Sequence, residues 1–294
     1  MTVPADPASA LALPRDLPYR IRWRSHALRL GSHKGTASGS GGLFRDLTSL
    51  TEQPDPRRID LRSSLRDPFG QLYVRRFEQK TAISVYALVD VSASMSFVGN
   101  MRKMDAAAAL CAALAASARR IGDKFGLMGC DTRVLPELSF PAGRSRSGEI
   151  RLSNALRSFP PAGRGAMGLV DAAQQISGKR KLVFLISDFH MPESVLVRIF
   201  EALASHDVRP LHLVDTRETA GLPDWGILPL TDLETGQGRL VFLRPSLKAA
   251  WQRQSAGRAA RLDAIAAGFG AKPFQIADRI DWDQLSAHLM EPGA

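Results

Sequence analysis

A chain of 294 residues with 39 lysines and arginines against 29 aspartates and glutamates, a net charge of +10 and two cysteines has room for one α/β domain of about 200 residues plus an accessory region. Cys111 lies in an alanine-rich run and Cys130 ends an apolar one, which excludes a disulfide scaffold and reads as structural thiols of a reduced intracellular protein. The opening MTVPADPASALALPRDLP has no basic flank before an apolar stretch, and no later window holds about 18 uninterrupted apolar residues, so the expectation is a cytoplasmic chain without a membrane span.

Residues 1–16 are proline-rich and read as a flexible tail. Residues 17–80 form the expected accessory region. Within it, GSHKGTASGSGGLFRDLTSL (31–50) begins as a Gly/Ser-rich loop, with order returning near Leu43. LRSSLRDPFGQLYVRRFEQK (61–80) reads as a β-hairpin, two arms about a Pro-Phe-Gly turn. From residue 81 to 294 the pattern becomes strand, helix, strand, helix. ISVYALVDV (83–91) is nearly all apolar, as a parallel strand buried on both faces requires. A helix is predicted over 103–120, strands over 124–130 and 181–187, a helix over 194–205 and a strand over 208–214. A strand pair around 227–242 and a long helix over 246–267 follow. Such alternation implies right-handed crossovers and a doubly wound, mostly parallel α/β sheet. Its ligands are expected beyond the carboxyl ends of the strands.

Asp90, Ser92 and Ser94 follow the first buried strand, and Ser187-Asp188 ends a later one. Two carboxylates and two hydroxyls at one sheet edge make an all-oxygen set suited to Mg²⁺, with Mn²⁺ and Ca²⁺ as alternatives. Waters would fill the remaining positions, and a partner's Asp or Glu would replace one. The competing reading is an N-capping cluster, since Ser and Asp are favoured at helix starts. Ser94, His190 and Asp188 suggest a hydrolase, but G-x-S-x-G is absent. The first buried strand is followed by Ser-Ala-Ser rather than by G-x-G-x-x-G, and no P-loop occurs, so neither a dinucleotide site nor nucleotide hydrolysis is expected and the chain reads as a non-enzyme. The densest basic run, RIRWRSHALRLGSHK (20–34), offers a polyanion-binding alternative; it holds one aromatic, Trp23, and no nucleic-acid motif. Met95, Met101 and Met104 read either as an adaptable contact surface or as core.

DVSASM followed by a helix, with a later strand ending in SD, resembles the metal-ion-dependent adhesion site of von Willebrand factor A domains. PDPRRIDLRSSLRDPFGQLYVRRFEQ (54–79) and LPDWGILPLTDLETGQGR (222–239) are similar to a bacterial family of such proteins encoded beside MoxR-type AAA+ ATPases, whose short members include the MxaS-like proteins of methanol-oxidation clusters. The resemblance spans roughly residues 28–290. It implies a non-enzymatic adaptor that works with a MoxR-type ATPase on a client metalloenzyme such as methanol dehydrogenase, through a metal held by Asp90, Ser92, Ser94 and Asp188. The chain departs from the pattern at GRGAMGLVDAA, where Ala166 or Met167 stands in place of the family's loop threonine, and Thr132 belongs to a different loop. The family's IDW becomes Ile59-Asp60-Leu61. The mixed charges Asp55, Arg57, Arg58, Asp60, Arg62, Arg66 and Asp67 lie in the upstream block, as a surface network or a docking element.

Overall fold

The computed structural model describes residues 17–23, 30–218, 225–231 and 238–291. They form two compact units, a smaller one of residues 23–83 with 121–123 and a larger one containing the rest. The tail expected over 1–16 lies outside the described residues.

In the smaller unit, β1 (Leu30–Ser49) pairs antiparallel with β2 (Tyr73–Thr81). The Gly/Ser-rich stretch expected to begin as loop, with order returning only near Leu43, is therefore strand from Leu30. Its register slips between Lys34 and Ser38 and again between Ser38 and Leu43, because a Gly/Ser-rich backbone tolerates the extra residues of bulges. The hairpin expected over 61–80 is also corrected. Gly70 turns the chain at φ 70°, but the first arm is the short helical turn α1 (Leu61–Ser64). The Asp60 carboxylate accepts from Ser63 N at 2.9 Å and caps that turn, while the Ser64 hydroxyl donates to Asp60 O and accepts from Tyr73 N. The partner of β2 is thus β1. Asp60 also pairs with Arg75 at 2.7 Å and Asp55 with Arg58 at 3.0 Å, which makes much of the mixed-charge stretch a local capping network.

The larger unit begins with residues 17–22. Leu17 is fully buried, its N–H donates to Ser117 Oγ at 2.9 Å, and Tyr19 meets Phe184 edge to face at 6.3 Å. Then come β3 (Ser84–Asp90), α2 (Lys103–Ile121), β4 (Lys124–Cys130), β5 (Val134–Gly143), α3 (Arg146–Ser158), α4 (Met167–Gln175) and β6 (Leu182–Ser187). They are followed by α5 (Glu193–Ala202), β7 (Asp207–Val214), β8 (Gly226–Thr231), β9 (Gly238–Leu243), α6 (Pro245–Gly268), β10 (Phe274–Ala277) and α7 (Trp282–Met290). Strands β8 and β9 form a separate antiparallel pair.

Six strands make the central sheet in the order β10-β7-β6-β3-β4-β5, all parallel except β5. The chain winds outward from β3 to one side, then returns to place β6 on β3's other flank. That reversal is the switch point of a doubly wound α/β sheet, where such folds open a crevice at the strands' carboxyl ends. The interiors of β3 and β6 are apolar, as strands buried on both faces require: Val85, Ala87, Leu88, Val89, Val183, Phe184, Leu185 and Ile186 are all fully buried. Each such side chain contributes about 1.5–3 kcal/mol on burial. The free thiols of Cys111 and Cys130 are buried in this unit, and burial pushes both well above the usual thiol range. Among the described residues no helix is long and apolar enough to cross a membrane.

Candidate metal centre

β3 ends at Asp90 and β6 at Ser187, so the switch point brings the two predicted motifs side by side. Asp90, Ser92, Ser94 and Asp188 are each less than 5% exposed. Asp90 Oδ2 accepts from Ser187 Oγ at 2.6 Å and Oδ1 from Ser92 N at 2.9 Å. Ser92 Oγ lies 3.2 Å from Ser94 Oγ, and Ser94 Oγ donates to Asp188 Oδ1 at 3.1 Å. The turn after β6 is sharp: Phe189 holds φ at 53°, its N–H bonded to Ser187 Oγ, and His190 N donates to Asp188 Oδ1 at 3.2 Å. A non-glycine residue in that region stores strain, as functional turns commonly do. The N-capping reading of the serines fails. Ser92 starts only a short 3-10 turn over Ala93–Ser96 and makes no side-chain cap bond, and α2 begins well beyond it.

A residue absent from the sequence-based set completes the cluster. Lys103, first in α2 and fully buried, places Nζ 2.7 Å from Asp188 Oδ2 and 3.4 Å from Ser94 O, and pairs also with Glu218. The only sequence signal was a lysine opening a helix, where the helix dipole favours acids. Glu218 sits on a 3-10 turn after β7. Asp215 braces both elements, accepting from Met101 N and Arg217 N at 2.9 Å each. A β-carbon at Gly99 would collide with that carboxylate, so glycine is required there.

The two aspartates are electrostatically unequal. Burial works to raise Asp188, but the Lys103 and His190 charges and their hydrogen bonds outweigh it and hold the carboxyl near 2. Asp90 is pushed up to about 7, first by burial and then by the Asp188 charge. Among the described residues no cation pairs with Asp90; its partners are a hydroxyl and an amide. A buried carboxylate in that position takes either a proton or a metal ion.

The donor set fits a small hard cation. Neighbouring ligand oxygens around Mg²⁺, at bonds of about 2.0–2.1 Å, stand roughly 3 Å apart. The Ser92–Ser94 and Ser94–Asp188 separations of 3.2 and 3.1 Å have that spacing. No group of three His, Cys, Asp or Glu suited to a metal occurs among the described residues, so hydroxyls would carry as much of the coordination as carboxylates. The loop opposite lacks the family's hydroxyl: Ala166, buried, starts α4 with no side-chain cap bond. That loop does approach the cluster, since Gly163 O accepts from Ala93 N at 2.8 Å and Gly163 bridges to Ser92. A β-carbon at Gly163 would strike the Asp131 carboxylate, which itself serves its own turn through Arg133 N and the Thr132 hydroxyl.

His190 Nδ1 stands 3.9 Å from Asp188 Oδ2 and Nε2 3.7 Å from Glu218 Oε2. Ser94 therefore gives its hydrogen bond to Asp188 with no histidine between them, unlike a nucleophile–base–acid relay. Met95, Met101 and Met104 are core. In the basic run, Arg20 N bonds Leu289 O, and Arg22 N and Nη1 reach Asp207 and Gly270 O; residues 24–29 lie outside the described residues.

The fold and the site together define a doubly wound α/β domain with carboxylates and serine hydroxyls gathered at its switch point. The chain belongs to the family described as "Protein of unknown function DUF58", whose model matches residues 54–261. It is 26% identical over 280 residues to "Uncharacterized protein Rv1480" of Mycobacterium tuberculosis, covering 94% of this chain and 87% of that one. "Uncharacterized protein in moxR 3'region" of Paracoccus denitrificans is 34% identical over 104 residues, 35% of this chain and 99% of that one. Among solved structures, BatB from Bacteroides thetaiotaomicron is 15% identical with a TM-score of 0.45, covering 71% of this chain and 97% of that one. The SpRpn10 VWA domain is 14% identical with a TM-score of 0.40, covering 73% and 99%.

Proposed function

We propose that this chain is a non-enzymatic interaction adaptor that works with a MoxR-type AAA+ ATPase. Asp90, Ser92, Ser94 and Asp188 take up a divalent cation, Mg²⁺ or Mn²⁺, whose open position accepts an acidic side chain from the partner. The observation carrying this reading is Asp90, a buried carboxylate beside a second one with no cation of its own among the described residues. Ser94 donates directly to a carboxylate, which favours ligation over nucleophilic attack. The ATPase association is supported by the Paracoccus relative, whose name places it in the moxR 3' region. The client, by the resemblance of residues 54–79 and 222–239 to the methanol-oxidation members, is a metalloenzyme of the methanol dehydrogenase kind.

The test is capture of a MoxR-type ATPase on the immobilised chain in Mg²⁺, repeated with chelator and with Asp90→Asn. Retention lost under both treatments is the expected result. Retention indifferent to both would remove the metal, and no retention in Mg²⁺ would remove the ATPase.

A further inference from the structure

Lys103 breaks two ordinary preferences at once. Its ammonium is fully buried, and it opens a helix whose amino end already carries partial positive charge. Local rules broken together in this way concentrate at functional sites. Two carboxylates from different elements hold it: Asp188 at the end of β6, 1% exposed in its side chain, and Glu218 nearer the rim, 18% exposed. Asp188 is divided between two roles, Oδ1 facing Ser94 and Oδ2 facing the ammonium. A cation resting on Ser92, Ser94 and Oδ1 would share one carboxylate with Lys103, and two cations that close repel strongly in a dry crevice.

Glu218 offers a way out. Asp215 holds the backbone before Lys103 and the turn bearing Glu218 together, and the ammonium already rests on Glu218, so it can release Asp188 by side-chain rotation without any backbone change. The Phe97 ring, 5.9 Å from Nζ, covers the ammonium, and His190 lies between the same two carboxylates.

We propose that Lys103 is the site's own exchangeable counter-ion: it bridges Asp188 and Glu218 when no metal is present, and a divalent cation gains Asp188 only as the ammonium withdraws to Glu218 alone. The inference rests on the metal reading above. The site is thereby a weak metal binder by construction, with the resident ammonium setting the concentration at which it fills.

Calorimetric titration of Mn²⁺ into the full chain separates the two ideas. Lys103→Met, nearly isosteric and uncharged, is expected to bind at least about tenfold more tightly than the native chain. Glu218→Gln, which leaves all four oxygen donors in place, is expected to bind at least about threefold more weakly, and this loss should vanish in the Lys103→Met background. Native binding with Lys103→Met no tighter overturns the counter-ion but leaves the metal site standing; no Mn²⁺ heat from either protein overturns both. Should Lys103→Met fold only with metal, its thermal midpoint should depend on Mn²⁺ more steeply than that of the native chain, and an equal dependence overturns the proposal. An unchanged affinity in Glu218→Gln overturns it by itself.

Discussion

At the carboxyl edge of the central sheet, Asp90, Asp188 and Lys103 are at most 2% exposed, gathered at the ends of strands whose interiors are apolar. The smaller unit inverts this. There Asp60 caps α1 and pairs with Arg75, and Asp46 pairs with Arg76, each partly open to solvent, while Leu61, Leu65 and Phe69 are 69%, 85% and 85% exposed. Surface pairs of that kind contribute little to stability and need no special explanation. Buried ions cost several kcal/mol each unless compensated, so the sheet edge must be organised around its charges. Apolar side chains left in water within one short stretch are surface the fold does not use for itself.

Removing one charge from the crevice gives the largest effect. Lys103→Met should lower the stability of the metal-free chain by about 3–5 kcal/mol, because Asp188 is then buried without its ammonium. Denaturant titration measures this, and a loss below about 1 kcal/mol would place the pair with ordinary surface pairs.

The pH response comes next. The folded metal-free chain keeps a proton on Asp90 up to about 7, whereas the unfolded chain releases it at the ordinary 3.8. The folded state binds more protons between those values, so this contribution is full below 3.8 and is lost as pH rises toward 7. Asp188 runs the other way: held near 2, it contributes stability above 3.8 that is lost as pH falls through 2. Denaturation midpoints of the metal-free chain should therefore fall between about pH 4 and 7 through Asp90. Asp90→Asn should flatten that slope, and an unaltered slope would assign the titration elsewhere.

A smaller gain is expected from Ala166→Thr. It restores a hydroxyl at the start of α4, adding up to about 1 kcal/mol as a helix cap. Mn²⁺ affinity should rise with it; a weaker affinity would show that this loop does not face the cation. Least of all should Leu65→Ser change, within about 0.5 kcal/mol, since that side chain is 85% exposed. A larger loss by thermal melting would mean that Leu65 packs in the native state.

The central strands were readable because burial on both faces leaves nothing but apolar residues: 124–130 matches β4 to the residue, and 181–187 exceeds β6 only by Lys181. The antiparallel edge strand β5 was not readable, since Pro136 and Pro141 interrupt it and only one face is covered. β1 was hidden by glycines and serines that carry no strand signal, and its pairing is long-range. At the site, Asp90, Ser92, Ser94 and Asp188 were legible because they end recognisable strands. Lys103 and Glu218 were not. Their roles arise only when α2 and the turn after β7 meet Asp188, with Glu218 115 positions beyond Lys103 (218 − 103 = 115) in the sequence. A lysine at a helix start violates a preference, and that violation was the one available clue.

On the function proposed above, the buried pair at the switch point holds a divalent cation. Mn²⁺ titrated calorimetrically into the native chain and into Asp90→Asn, with circular dichroism confirming that both are folded, tests it most directly. A saturable heat from the native chain that disappears in Asp90→Asn is the predicted result, and equal heats from the two proteins would contradict the account.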